Sequence, residues 1–120
     1  MYIYFTEEKK LDNLIWVWNG QGKDWYPGDE FVDLTGEDIY ANNHESQRKK
    51  FLECKASSNG KKMVALTECG RIPDPEKCFA DSSIWLYFMV WNDKTINGNF
   101  TDEDFWSSDI INPINYRTQI

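Results

Sequence analysis

The chain has a single histidine, four prolines, three cysteines and no apolar run longer than eight residues, and each scarcity removes a class of reading. A bilayer span takes roughly 20 consecutive apolar residues, so the run from Ile84 to Trp91 is too short and no membrane partner is expected. The opening Met1-Tyr2-Ile3-Tyr4-Phe5, followed by Glu7 and Glu8, lacks the basic region of an export signal. Cys54, Cys69 and Cys78 are an odd number, which fits reduced thiols in a cytoplasmic protein. A dominant basic surface is missing too: the net charge of -7 argues against direct contact with nucleic-acid phosphates. Gly20-Gln21-Gly22 lacks the third glycine of a phosphate loop. No nucleophile elbow surrounds His44 or any cysteine, so the chain reads as non-enzymatic and no cofactor is implied.

What the chain does have is aromatic mass, with six Trp, six Tyr and seven Phe among 120 residues, enough for a single domain over 1–120. The stretch Ile84-Trp85-Leu86-Tyr87-Phe88-Met89-Val90-Trp91 reads as a central strand buried on both faces. Met1, Ile3 and Phe5 alternate with Tyr2 and Tyr4, the pattern of a first strand. Residues 6–18 fit either a helix carrying Leu11, Leu14, Ile15 and Trp18 or a hairpin whose second strand is 14–18; their β-branched and aromatic residues favour the strand. Phe31 to Leu34 suggests a short strand, and Thr35 to Gln47 is polar and shapeless. Asn59-Gly60 supplies the two positive φ values of a type I′ turn, and counting outward pairs Ala56 with Met63, Cys54 with Ala65 and Leu52 with Thr67 on one face of a hairpin. Gly70 to Ser83 reads as a connection, Thr101 as the cap of a short helix, and 115–120 as an edge strand or tail. The fold class expected is α+β, mainly an antiparallel β-sheet with one or two short helices on one face.

Three groups of residues invite a functional reading. Residues 93–104 resemble an EF-hand calcium loop, with Asp93, Thr95, Asn97, Asn99, Thr101 and Asp104 at ligand positions and Gly98 at the sharp turn; Thr95 and Asp104 depart from the acidic and bidentate ligands wanted there. His44 and the three cysteines have the ligand types of a zinc site but not its paired spacing. Charge is segregated as well. From Asp24 to Glu45 there are seven acids and no Lys or Arg, whereas Arg48 to Lys62 holds six bases against Glu53 alone.

The acidic arc carries the function expected from sequence. Asp24, Asp29, Glu30, Asp33, Glu37 and Asp38, with Trp25 and Tyr26 as anchors, form a surface complementary to a basic protein such as a nuclease or toxin domain. The chain then acts by occlusion, as a toxin immunity protein or a phage anti-defence inhibitor such as an anti-CRISPR. One alternative is a small-ligand binder that stacks a nucleotide or sugar on Trp16, Trp18, Trp25 or Trp91. A second is a calcium-binding module at 93–104.

Overall fold

A computed structural model describes residues 1–90. The loop 93–104 with its candidate ligands, Trp91, the helix start at Thr101 and the segment 115–120 lie outside the described residues. Four strands, β1 (Val17–Trp18), β2 (Leu34–Ile39), β3 (Met63–Cys69) and β4 (Phe88–Val90), form one sheet in the order β1-β2-β3-β4. Every adjacent pair is parallel. This corrects the antiparallel α+β expectation: a parallel neighbour has to be reached by crossing back over the sheet, and two of the crossings are helices. α1 (Arg48–Ser57) joins β2 to β3, and α2 (Pro75–Asp81) joins β3 to β4.

The supposed hairpin at Asn59-Gly60 is the end of α1. Its turn chemistry is real, since Asn59 and Gly60 have φ of 51° and 79°. Instead of closing two strands, these residues stop a helix: the Gly60 N–H donates to the Lys55 carbonyl at 2.9 Å and the Asn59 N–H to that of Ala56 at 3.1 Å. Arg, Lys, Leu, Glu and Ala dominate 48–56 and favour the helix locally. Phe51 and Cys54, three apart, turn inward onto Val64, while Leu52 is 46% exposed. α2 starts where Pro75 takes the first helical position and the Asp74 carboxylate accepts the Glu76 N–H at 2.9 Å.

The central strand is β3, where Ala65, Leu66 and Cys69 are fully buried. Its helix-covered face holds two clusters, Phe51–Cys54–Val64 and Ile39–Leu66–Cys69–Ile72, with Trp85 packed against both. The Trp85 ring meets Phe51 edge-on at 5.2 Å and its Nε1 donates to the Ser46 carbonyl at 2.9 Å. The aromatic stretch at 84–90 is not the centre. It contributes β4 at one end of the described sheet, with Ile84, Leu86, Phe88 and Met89 all exposed.

At the other end, residues 4–8 form a single π-helical turn where a first strand was expected. Tyr2 and Phe5 cap Trp16, at ring distances of 5.2 and 6.1 Å. The 14–18 strand shortens to β1 and pairs with β2, with no hairpin partner before it among the described residues. The expected strand at 31–34 is a 3-10 turn, Asp29–Phe31, leading into β2.

Helix and hairpin make opposite demands on neighbouring residues. Phe51→Ala should cost roughly 3–5 kcal/mol in denaturant unfolding. Leu52→Ala should stay within about 0.5 kcal/mol, where the hairpin register would have reversed the two.

Candidate active site

In parallel sheets functional groups gather at the carboxyl ends of the strands. There the chain places Asn19 just after β1, Asp38 and Tyr40 at the end of β2, and Thr67 and Glu68 near the end of β3. Asp38 and Glu68 are register partners. The Tyr40 hydroxyl donates to Glu68 Oε2. Asp38 Oδ1 accepts from Thr67 Oγ1 at 2.7 Å and from Asn19 Nδ2 at 2.8 Å. Gln21 in turn holds Asn19, its Nε2 donating to Asn19 Oδ1. The Tyr40 phenol is pushed up to about 12, first by its hydrogen bond to Glu68, then by burial and by the charges of Glu68 and Asp38. It is therefore a neutral donor across the physiological range.

The acidic arc does not stay together in space. Asp24 and Trp25 sit on an exposed 3-10 turn, Lys23–Trp25, and Trp25 is 79% exposed. Tyr26, Asp29, Glu30 and Asp33 belong to the approach to β2, before the sheet begins. The Tyr26 hydroxyl and Lys61 Nζ both donate to Asp29, each at 2.8 Å. Asp33 ties the start of β2 to Trp16, whose N–H donates to Asp33 Oδ2 at 2.8 Å. Glu37 is buried toward α1, 2.9 Å from Lys50 Nζ. Of the eight residues, only Asp38 reaches the carboxyl-end cluster.

Trp16 lies under Tyr2 and Phe5, and Trp18 packs edge-on against Tyr26 at 5.1 Å while its Nε1 donates to the Trp25 carbonyl. The three cysteines are buried and apart, their thiols pushed up by burial to about 11 for Cys54 and Cys78 and about 12 for Cys69. His44 Nδ1 lies 2.7 Å from the Ile72 carbonyl. Among the described residues no three His, Cys, Asp or Glu side chains converge on a metal position. Nothing in the sequence singles out Tyr40 or Glu68. Their one local signal is an acid or phenol closing an otherwise buried strand, and it is readable only once the strands are known to be parallel.

Residues 1–109 match the model of glycosyl hydrolase family 26. A mannan endo-1,4-beta-mannosidase of Thermothelomyces thermophilus is 37% identical over 97 residues, covering 81% of this chain and 20% of that protein. Mannan endo-1,4-beta-mannosidase B of Piromyces sp is 44% identical over 86 residues, 72% of this chain and 15% of that protein. Among solved structures, the Podospora anserina β-(1,4)-mannanase superposes with a TM-score of 0.75 at 42% identity, covering 81% of this chain and 22% of that one. The β-mannanase from a symbiotic protist of the termite Reticulitermes speratus, solved with a gluco-manno-oligosaccharide, gives 0.76 at 35% identity, covering 91% and 36%. The chain thus spans 20% and 15% of the length of these two curated relatives. These matches overturn the inhibitor reading and the non-enzymatic expectation: the relatives degrade carbohydrate, and none is an immunity or anti-defence protein. They also place the parallel sheet in a TIM-barrel-like α/β fold.

Away from the cluster, the Asp29 carboxyl is held below the usual carboxylate range by hydrogen bonds from Lys61 and then Tyr26. A depressed folded-state value gives stabilisation that is complete above the unfolded value near 4 and lost as pH falls through the folded one. Asp29→Asn should therefore lower the melting temperature at neutral pH and flatten its fall on acidification below about pH 4, so that the two melting curves converge in acid. Parallel acid slopes in thermal melts of the two proteins would show that the Lys61–Asp29–Tyr26 contact does not form.

Proposed function

Since the chain belongs to glycosyl hydrolase family 26, we propose that it supplies the reacting carboxylate of an endo-acting hydrolase of β-1,4-linked mannan. The observation that carries this is the Tyr40 hydroxyl donating to Glu68 at the carboxyl ends of two paired parallel strands. A glycosidase uses one carboxylate on the face opposite the departing oxygen, as nucleophile or as base to a water, and a second carboxyl group to protonate that oxygen. Glu68 fills the first role. Tyr40, neutral over the working range, fixes one Glu68 oxygen and suits its ionised form.

Asp38 does not fill the second role, because Thr67 and Asn19 both donate to its Oδ1 and engage it as an acceptor carboxylate. Such a carboxylate beside the site favours the positive character that develops on the sugar ring as the glycosidic bond breaks. Mannan as the substrate rests on the relatives, which are named for it.

Glu68→Gln should lower the release of reducing ends from β-1,4-mannan by at least about a thousandfold while manno-oligosaccharide binding by calorimetry persists. Tyr40→Phe should cost about ten- to hundredfold in kcat, the worth of one hydrogen bond to a charged group. A wild-type chain that neither binds manno-oligosaccharide nor releases reducing ends would sink the proposal.

A further inference from the structure

A regular strand sends alternate side chains to opposite faces, and β3 breaks that rule at one point. Glu37 pairs with Leu66 and Asp38 with Glu68, so one step on β2 spans two on β3. The other neighbour reports the same: Leu66 pairs with Phe88 and Cys69 with Val90, two steps on β4 against three on β3. β3 therefore carries one extra residue relative to both partners, which is a β-bulge. Its effect on the faces is visible in the core. Leu66 and Cys69, three apart, both pack against Ile39 and Ile72 on the helix-covered face. Thr67 and Glu68 are left, consecutively, on the opposite one.

Thr67 fills a slot made for it. An added Cβ on Gly36 would lie 2.3 Å from Thr67 Cγ2 and 2.8 Å from Thr67 Oγ1, so the absent side chain of Gly36 is the space that Thr67 occupies. The same hydroxyl reaches Asp38 Oδ1. With that slot taken, the next side chain on this face, Glu68, extends toward Tyr40.

We propose that Thr67 is a positioning residue: as the bulged residue seated over Gly36 it keeps the Glu68 carboxylate off Asp38 and aims it at Tyr40. The inference rests on Glu68 as the reacting group. Deleting Thr67 evens the ladder against both neighbours and leaves Cys69 in the core, so the sheet is retained. Glu68 then drops into the vacated slot beside Asp38 and loses Tyr40.

The test reads Tyr40 directly, by ¹³C NMR of the tyrosine Cζ at about pH 11, above the ordinary phenol value near 10, with the resonance assigned from Tyr40→Phe. Wild-type Tyr40 stays protonated there, and Glu68→Gln ionises it. In the Thr67 deletion Tyr40 is expected to ionise and mannan hydrolysis to fall at least tenfold, chiefly in kcat. Gly36→Ala should do the same by displacing Thr67, and it serves if the deletion costs the fold. A folded deletion or Gly36→Ala variant with Tyr40 still protonated, or with unchanged kcat, overturns the proposal. A wild-type chain inactive on mannan removes the hydrolase reading alone, because the Tyr40 resonance still reports whether Thr67 aims Glu68.

Discussion

Parallel pairing with β3 is the constraint from which the other features follow. A strand that runs alongside its predecessor can be entered only from the same end, so each connection has to return across the sheet. Two of those returns run through α1 and α2, and residues of the crossings, Ile72 and Trp85 among them, help cover one face of β3, where Leu66 and Cys69 have no exposed surface. The same rule brings the carboxyl ends of β1, β2 and β3 together at one edge. Groups far apart in sequence, Asn19, Asp38, Tyr40, Thr67 and Glu68, meet there because the strands all point one way.

β2 shows what the site asks of the fold. Buried parallel strands usually read as runs of Val, Ile and Leu. This one reads Leu34-Thr35-Gly36-Glu37-Asp38-Ile39, and five of the six are buried. Each polar member has a specific answer: Glu37 meets Lys50, Gly36 receives Thr67, and Asp38 takes two donors. Local pattern and tertiary role disagree at a functional edge, which is where such disagreement is expected. That is why 35–47 looks shapeless from the sequence alone.

The sequence is informative about punctuation and misleading about what the punctuation joins. Asn59 and Gly60 do adopt positive φ, but the alternation of Leu52, Cys54 and Ala56 that suggests a strand coexists with Phe51 and Cys54 at helical spacing. With so few apolar residues over 48–57 both periods fit, and the choice falls to the crossover that a parallel sheet requires. The stretch 84–90 misleads by strength: its uninterrupted apolar character says buried and central, yet it ends the described sheet with four large side chains exposed. The candidate site is legible only at Asp38, and there for another reason. Closeness in sequence groups it with Asp29 and Asp33, which the fold sends to the opposite end of β2. Lone Tyr40 and Glu68 carry no local signature, since their meaning arises from a pairing 28 residues apart.

Two carboxylates in register on adjacent strands repel each other, and the repulsion grows as water is excluded. The chain separates Asp38 from Glu68 in function by giving each its own neutral donors. Thr67 and Asn19 serve Asp38, and Tyr40 serves Glu68. No donor is shared between the two acids, so each carboxylate is oriented by its own hydrogen bonds. The bulge makes that division geometrically possible. Without the extra residue in β3, Asp38 would pair with Thr67 and Glu68 with Ile39 toward the core; the bulge leaves Thr67 and Glu68 both on the face that Asp38 occupies.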